Sequence, residues 1–221
     1  MNVCKLGIAA IFSANLLYGV TAAKADGGAF SWTGFYAGLD IGERWSRASV
    51  NIPAYSPTAQ HTQAGNGSVA GGFVGYNYQF NKVVLGIEGD LSGVGGNSVA
   101  LSGNGGTEQY VISENWRASV RARAGIAFGR TLAYATGGAA WSRYSTNYAP
   151  QAGGVSTTTA GGWIAGAGLE HAFLTGTGNS ALFGRVEYLY ADHGTSNFFH
   201  NGPSTVDYKT QELRVGVGVK F

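Results

Sequence analysis

Cysteine is all but missing from this chain: Cys4 is the only one among 221 residues. Past the first few residues neither a disulfide framework nor a thiolate metal site can be built. Charge is scarce as well, with Asp, Glu, Lys and Arg together at 12%, about half the usual share. The arginines form no run, and net charge leaves no electrostatic footprint for nucleic acid. No apolar run is long enough to be a membrane helix. The stretch from Leu6 to Val20 has about 15 residues, where roughly 20 are needed. Glycine is abundant, 37 residues, but without a period of three, which excludes collagen. Twelve Tyr, 11 Phe and 5 Trp argue against a disordered chain.

The short apolar run fits a different role. Lys5 precedes it, and Ala23-Lys24-Ala25 follows with small residues at Ala23 and Ala25. This is the pattern of a secretory signal with cleavage after Ala25, rather than an ordinary buried N-terminal helix. Residues 1–25 are then a signal peptide and residues 26–33 a short periplasmic segment. Residues 34–221 form one domain. Without Lys5 and Lys24, 12 basic and 12 acidic side chains remain.

What the chain does have is alternation. Phe35, Ala37, Leu39 and Ile41 interleave with Tyr36, Gly38, Asp40 and Gly42. Ala70, Val74, Tyr76 and Tyr78 interleave with Gly71, Phe73, Gly75 and Asn77. Val83, Leu85, Ile87 and Leu91 face away from Val84, Glu88 and Asp90. From Trp116 to Phe128 the even-numbered positions are apolar, while Arg117, Ser119, Arg121 and Arg123 share the other face. A helix would scatter those three arginines around its circumference, so the period of two requires a strand. Leu132 to Tyr144 is a further strand whose blurred pattern assigns no face. Trp163 to Glu170, Leu182 to Tyr190 and the closing TQELRVGVGVKF complete eight.

The connections alternate in length. Long polar stretches (Arg47 to Asn66, Gly93 to Ile112, Ser145 to Thr158, His193 to Lys209) are separated by short ones at Phe80 to Lys82, Phe128 to Thr131 and Phe173 to Ser180. Long loops on one side and short turns on the other are the asymmetry of outer-membrane barrels. A lipocalin-like soluble barrel would need bulky apolar groups pointing inward, where this chain has glycines and charges. The expected fold is all-β: a closed eight-stranded antiparallel transmembrane β-barrel, because lipid forces every backbone polar group to be paired internally.

Several blocks, among them FSWTGFYAGLDIG, GGFVGYNYQFNKVVLGIEGDL, WRASVRARAGIAFGRTLAYATGGAAW and ELRVGVGVKF, resemble the small outer-membrane barrel family of alphaproteobacteria. Its members include outer-membrane immunogenic, porin-like and haemin-binding proteins. The resemblance implies an integral outer-membrane protein with both termini in the periplasm. It also implies that Val215, Val217, Val219 and Phe221 form the signal read by the barrel-assembly machinery. Outer-membrane lipids and lipopolysaccharide are its implied partners.

In a closed barrel the inward face gathers Glu88, Asp90, Arg117, Arg121, Arg123, Glu170, Arg185, Glu187, Arg214 and Lys220. Eight strands enclose a lumen just wide enough for side chains to fill, which favours a salt-bridged plug. The same arginines could instead form the constriction of a small porin. His61 and His200, with Tyr55 or Tyr208, are candidate haem ligands acting through the loops. No nucleophile–base spacing points to an enzyme.

Overall fold

The computed structural model describes residues 30–51, 60–96, 98–103, 108–149, 155–175, 180–199 and 203–221. Its elements are all strands: β1 (Gly34–Asn51), β2 (Gln60–Phe80), β3 (Val83–Gly95), β4 (Ser98–Gly103), β5 (Glu108–Phe128), β6 (Thr131–Ala149), β7 (Val155–Thr175), β8 (Ala181–Phe199) and β9 (Pro203–Lys220). Every pairing is antiparallel between neighbours, and β1–β9 together with β3–β5 close the ring. β4 continues the line of β3 along β5, after a bend at Gly96 with its φ of 72°. Nine segments therefore make eight walls, the expected architecture.

Two-residue turns join β2 to β3 at Asn81–Lys82 and β5 to β6 at Gly129–Arg130. Asn81 (φ 53°) and Gly129 (φ 61°) supply the left-handed backbone that so tight a reversal requires. At the opposite end the strands run further than alternation indicates. β1 continues to Asn51 and β2 begins at Gln60, so much of the stretch expected as a loop from Arg47 to Asn66 is paired strand. The same holds for Gly93 to Ile112, Ser145 to Thr158 and His193 to Lys209. Polar residues keep the ladder there because, past the apolar band, both faces can meet water.

The barrel is built inside out relative to a soluble domain. Phe35, Leu39, Ile41, Val74, Leu85, Ile87, Val120, Ile126, Leu169, Val186, Val215 and Val217 are exposed on the outward face. Aromatic rings border this band, with Phe80, Phe128 and Phe221 near the end where β1 begins and β9 stops, and Trp45, Trp141 and Trp163 at the other. On β1 Trp45 lies ten positions beyond Phe35. At the usual strand tilt that span rises about 25 Å, the height of an outer-membrane apolar belt.

The β6 faces are also fixed: Leu132, Tyr134, Thr136, Ala140 and Ser142 point inward, and Trp141 outward. Inward glycines make room for large rings. A methyl on Gly75 would collide with the Tyr36 hydroxyl, and one on Gly38 with the Phe73 ring.

Candidate functional site

The lumen is filled in layers. At the end where β1 begins and β9 stops lies an apolar layer of Trp32, Tyr36, Phe73, Val84, Ala127, Leu132, Tyr134, Ala172, Ala181 and Phe183. The charged groups stand above it. Fully buried among the described residues are seven carboxylates (Asp40, Glu88, Asp90, Glu114, Glu170, Glu187, Glu212), six arginines (Arg44, Arg117, Arg121, Arg123, Arg185, Arg214) and Lys220. Opposite charges are therefore matched in number inside a volume that water scarcely enters.

Glu88, on β3, is the hub of the lower tier. Its Oε2 accepts from Arg185 Nη1 at 2.8 Å, Arg123 Nη1 at 3.0 Å and the Tyr36 hydroxyl at 2.9 Å, and its Oε1 pairs with Arg121. Arg123 also reaches Glu170 at 2.8 Å and stacks 3.9 Å from the Tyr134 ring centre. Arg185 reaches Asp40 at 2.9 Å and lies 3.6 Å from the Phe73 ring centre. Arg121 bridges on to Glu187 at 3.1 Å, and Tyr134 donates to that carboxylate at 2.8 Å. Tyrosine hydroxyls and ring faces thus complement guanidinium edges and planes, which offsets part of the desolvation of so many charges.

The next tier centres on two carboxylates. Asp90 faces Arg214 at 3.4 Å, Arg121 at 3.5 Å and Arg117 at 3.7 Å, and accepts from the Ser119 hydroxyl. Glu212 holds Arg117 at 2.6 Å, Arg214 Nε at 2.7 Å and Arg44 at 3.4 Å. Arg44 then pairs with Glu114 at 2.7 Å. Above this stand three rings with centroids 4.9 to 6.1 Å apart: Tyr144, Tyr208 and His193. The Tyr208 hydroxyl lies 3.5 Å from Glu114, and His193 Nε2 lies 3.3 Å from Ser142 Oγ.

His193 follows Asp192, which pairs with Trp163 of the tryptophan girdle, so it sits just past the membrane-spanning part of β8. Burial and the Arg44 and Arg117 charges bring its imidazole pKa down to about 4.

Of the residues singled out in the sequence, Glu88, Asp90, Arg117, Arg121, Arg123, Glu170, Arg185, Glu187 and Arg214 all meet in this lattice. Lys220 is buried one tier lower, with Nζ 5.8 Å from the Phe30 ring centre. Val215 and Val217 line the outward face of β9 with Val219 half-buried beside them; Phe221, just past the end of β9, is exposed and its N–H donates to Phe35 O at 2.8 Å. His61 lies in β2 opposite Val50, whereas Tyr55, His200, Ala23 and Ala25 fall outside the described residues. His193 and Tyr208, expected in a loop, are instead inward residues of β8 and β9, because the ladder continues past the band.

Asp40, Arg44, Glu114 and Glu212 complete the lattice and had escaped the sequence reading as charge partners. Asp40 and Glu212 share the parity of Tyr36 and Arg214, which was signal enough. Arg44 lies two residues beyond the recognised end of the first strand. Glu114 was concealed by a bulge: the register with β6 shifts between Glu114 and Trp116, so Glu114 and Arg117, three apart, both point inward.

Comparison with known proteins agrees with this architecture. Residues 12–221 match the model of the outer membrane protein beta-barrel domain. The 25 kDa outer-membrane immunogenic protein of Brucella abortus is 35% identical over 197 residues, covering 87% of this chain and 80% of its own length. The 31 kDa outer-membrane immunogenic protein of Brucella melitensis is 34% identical over 219 residues, covering 91% and 88%. A 22 kDa outer membrane protein of Rhizobium leguminosarum is 31% identical over 194 residues, covering 86% and 79%. Among solved structures, Neisserial surface protein A aligns over 86% of this chain and 98% of its own, with 17% identity and a TM-score of 0.43.

Proposed function

This chain belongs to the outer membrane protein β-barrel family, and from that premise we propose a non-conducting structural role in the outer membrane. On this reading the barrel reinforces the envelope and presents its long-loop end at the cell surface, with both termini in the periplasm. Lipid and lipopolysaccharide contact its outward band, and the closing β9 residues guide assembly. It carries out no catalysis.

The lattice around Glu88 is the observation that supports this most. A conducting lumen needs a continuous water path, and here buried arginines from β5, β8 and β9 cross the bore to carboxylates on other walls. Opening such a path would break several buried ion pairs at once, each costing about 3–5 kcal/mol when one partner is left alone. The test is unit conductance of the refolded chain in planar bilayers. Silence, with increased detergent sensitivity of cells lacking the protein, is the expected result. Steady channels that lose ion selectivity on Arg121→Ala would replace this reading with a small porin.

A further inference from the structure

The residues before β1 turn back into the barrel. Trp32 is 1% exposed, although it precedes the first strand. Its backbone N–H donates to Gln79 Oε1 at 2.7 Å, and the Gln79 N–H returns a bond to Thr33 Oγ1 at 2.9 Å. Its indole N–H reaches Gly129 O at 3.2 Å in the β5–β6 turn. The ring meets Phe30 and Phe183 edge-on, at 5.2 and 6.1 Å between centroids. One short segment thus touches β2, β8 and the turn between β5 and β6.

The surface it covers is held by other parts of the barrel. The Tyr36 hydroxyl is fixed by Glu88, Phe73 lies under Arg185, and the Phe73 and Phe183 rings pack against each other. Those contacts do not involve Trp32, so the cavity floor is built independently of its occupant. Glycines at positions 38 and 218 leave the space in which the Phe73 and Phe183 rings lie.

We propose that the rest of this apolar layer, without Trp32, is a preformed socket for an aromatic peptide bearing an indole donor, and that residues 30–33 are its tethered occupant. This goes beyond the structural role argued above, since the ion-pair lattice would fill the lumen whether or not the socket is occupied. The tether gives the segment a high effective concentration, so a modest intrinsic affinity keeps it seated. It seals the end of the barrel where β1 begins and β9 stops, and braces walls on different sides of the ring.

The test uses the full chain refolded in detergent, read by loss of the compact, heat-modifiable gel form. Trp32→Ala should lower the midpoint by about 5 °C or more. A synthetic peptide of residues 28–34 should restore it saturably, and the same peptide with Ala in place of Trp should not. An unchanged midpoint, or a drop that the Trp peptide does not repair, would overturn the proposal.

A second measurement covers the case in which Trp32→Ala fails to fold. With Trp45, Trp116, Trp141 and Trp163 replaced by Phe, Trp32 alone reports. Its emission should be blue-shifted and inaccessible to iodide, and should become quenchable on Gln79→Ala. Iodide quenching before that substitution would equally sink the idea.

Discussion

Arg185 and Asp40 stand 145 positions apart in the chain and 2.9 Å apart over Gly216 of β9, with which both are in register. A contact of that separation exists only if the first and last strands have met, so the lattice both records closure and reinforces it. The β1–β9 seam runs from Tyr36–Lys220 to Asn51–Thr205, and Asp40, Arg44, Glu212 and Arg214 are charges that this seam contributes to the lattice.

Removing one member of such a lattice should therefore cost more than its exposed counterparts would suggest. Glu88→Ala leaves Arg121, Arg123 and Arg185 short of a shared carboxylate, and should reduce the unfolding free energy by about 3–5 kcal/mol. Glu88→Gln keeps the shape and some acceptor capacity and should cost less. Urea unfolding in micelles, followed by tryptophan emission, measures both. Equal and negligible effects would mean the lattice contributes little.

The glycines give a sharper steric test. Gly75→Ala drives a methyl into the Tyr36 hydroxyl, and so into the bond that Tyr36 makes with Glu88. Gly72→Ala, on the outward face, meets only ordinary contacts, with Gly38 O and Leu39 Cδ2 at 3.4 Å. The first should destabilise by about 1–3 kcal/mol and the second hardly at all. The two unfolding midpoints, compared in one detergent, decide it.

A charge on the outward band tests the membrane directly. Val217 is exposed on β9 opposite Leu39, well inside the girdles. Val217→Arg should cost about 2–4 kcal/mol in a bilayer, as expected near the midplane. Lys209→Ala, beyond Trp45 and half-exposed in its pairs with Asp192 and Asp207, should change stability by less than about 1 kcal/mol. Refolding yields into vesicles should follow the same order.

The amount of this structure legible beforehand depended on the physical signal at each position. The outward face of β9, where Leu213, Val215 and Val217 alternate with Arg214 and Gly216, obeys one rule from end to end, because lipid touches every second residue. β6 was ambiguous since its outward residues are mostly Ala and Gly, which carry little hydropathy. Past the girdles the signal disappears altogether. There both faces are polar, so the strand status of residues near Asn51 or His193 rests on backbone pairing that composition does not encode. Glu114 shows the remaining failure: parity cannot be extended through an unannounced bulge.

His193 supplies a prediction in pH. Its imidazole is neutral in the folded barrel down to about pH 4, held there by burial and by Arg44 and Arg117. In the unfolded chain it takes up a proton near the ordinary value of about 6.5. The unfolded state therefore binds more protons between those values, and folding stability falls as pH is lowered from about 6.5 to 4. Above pH 7 the group is neutral in both states and contributes no slope. Glu114, Glu212 and Asp192 are the acids that lie near this ring cluster. His193→Asn removes the titrating group while leaving a polar side chain in the ring cluster. Its stability curve should be flatter than that of the parent between pH 6.5 and 5, and parallel to it above 7. Parallel curves throughout would show that the imidazole titrates alike in both states, and that its place among Tyr144, Tyr208 and Ser142 does not hold it neutral.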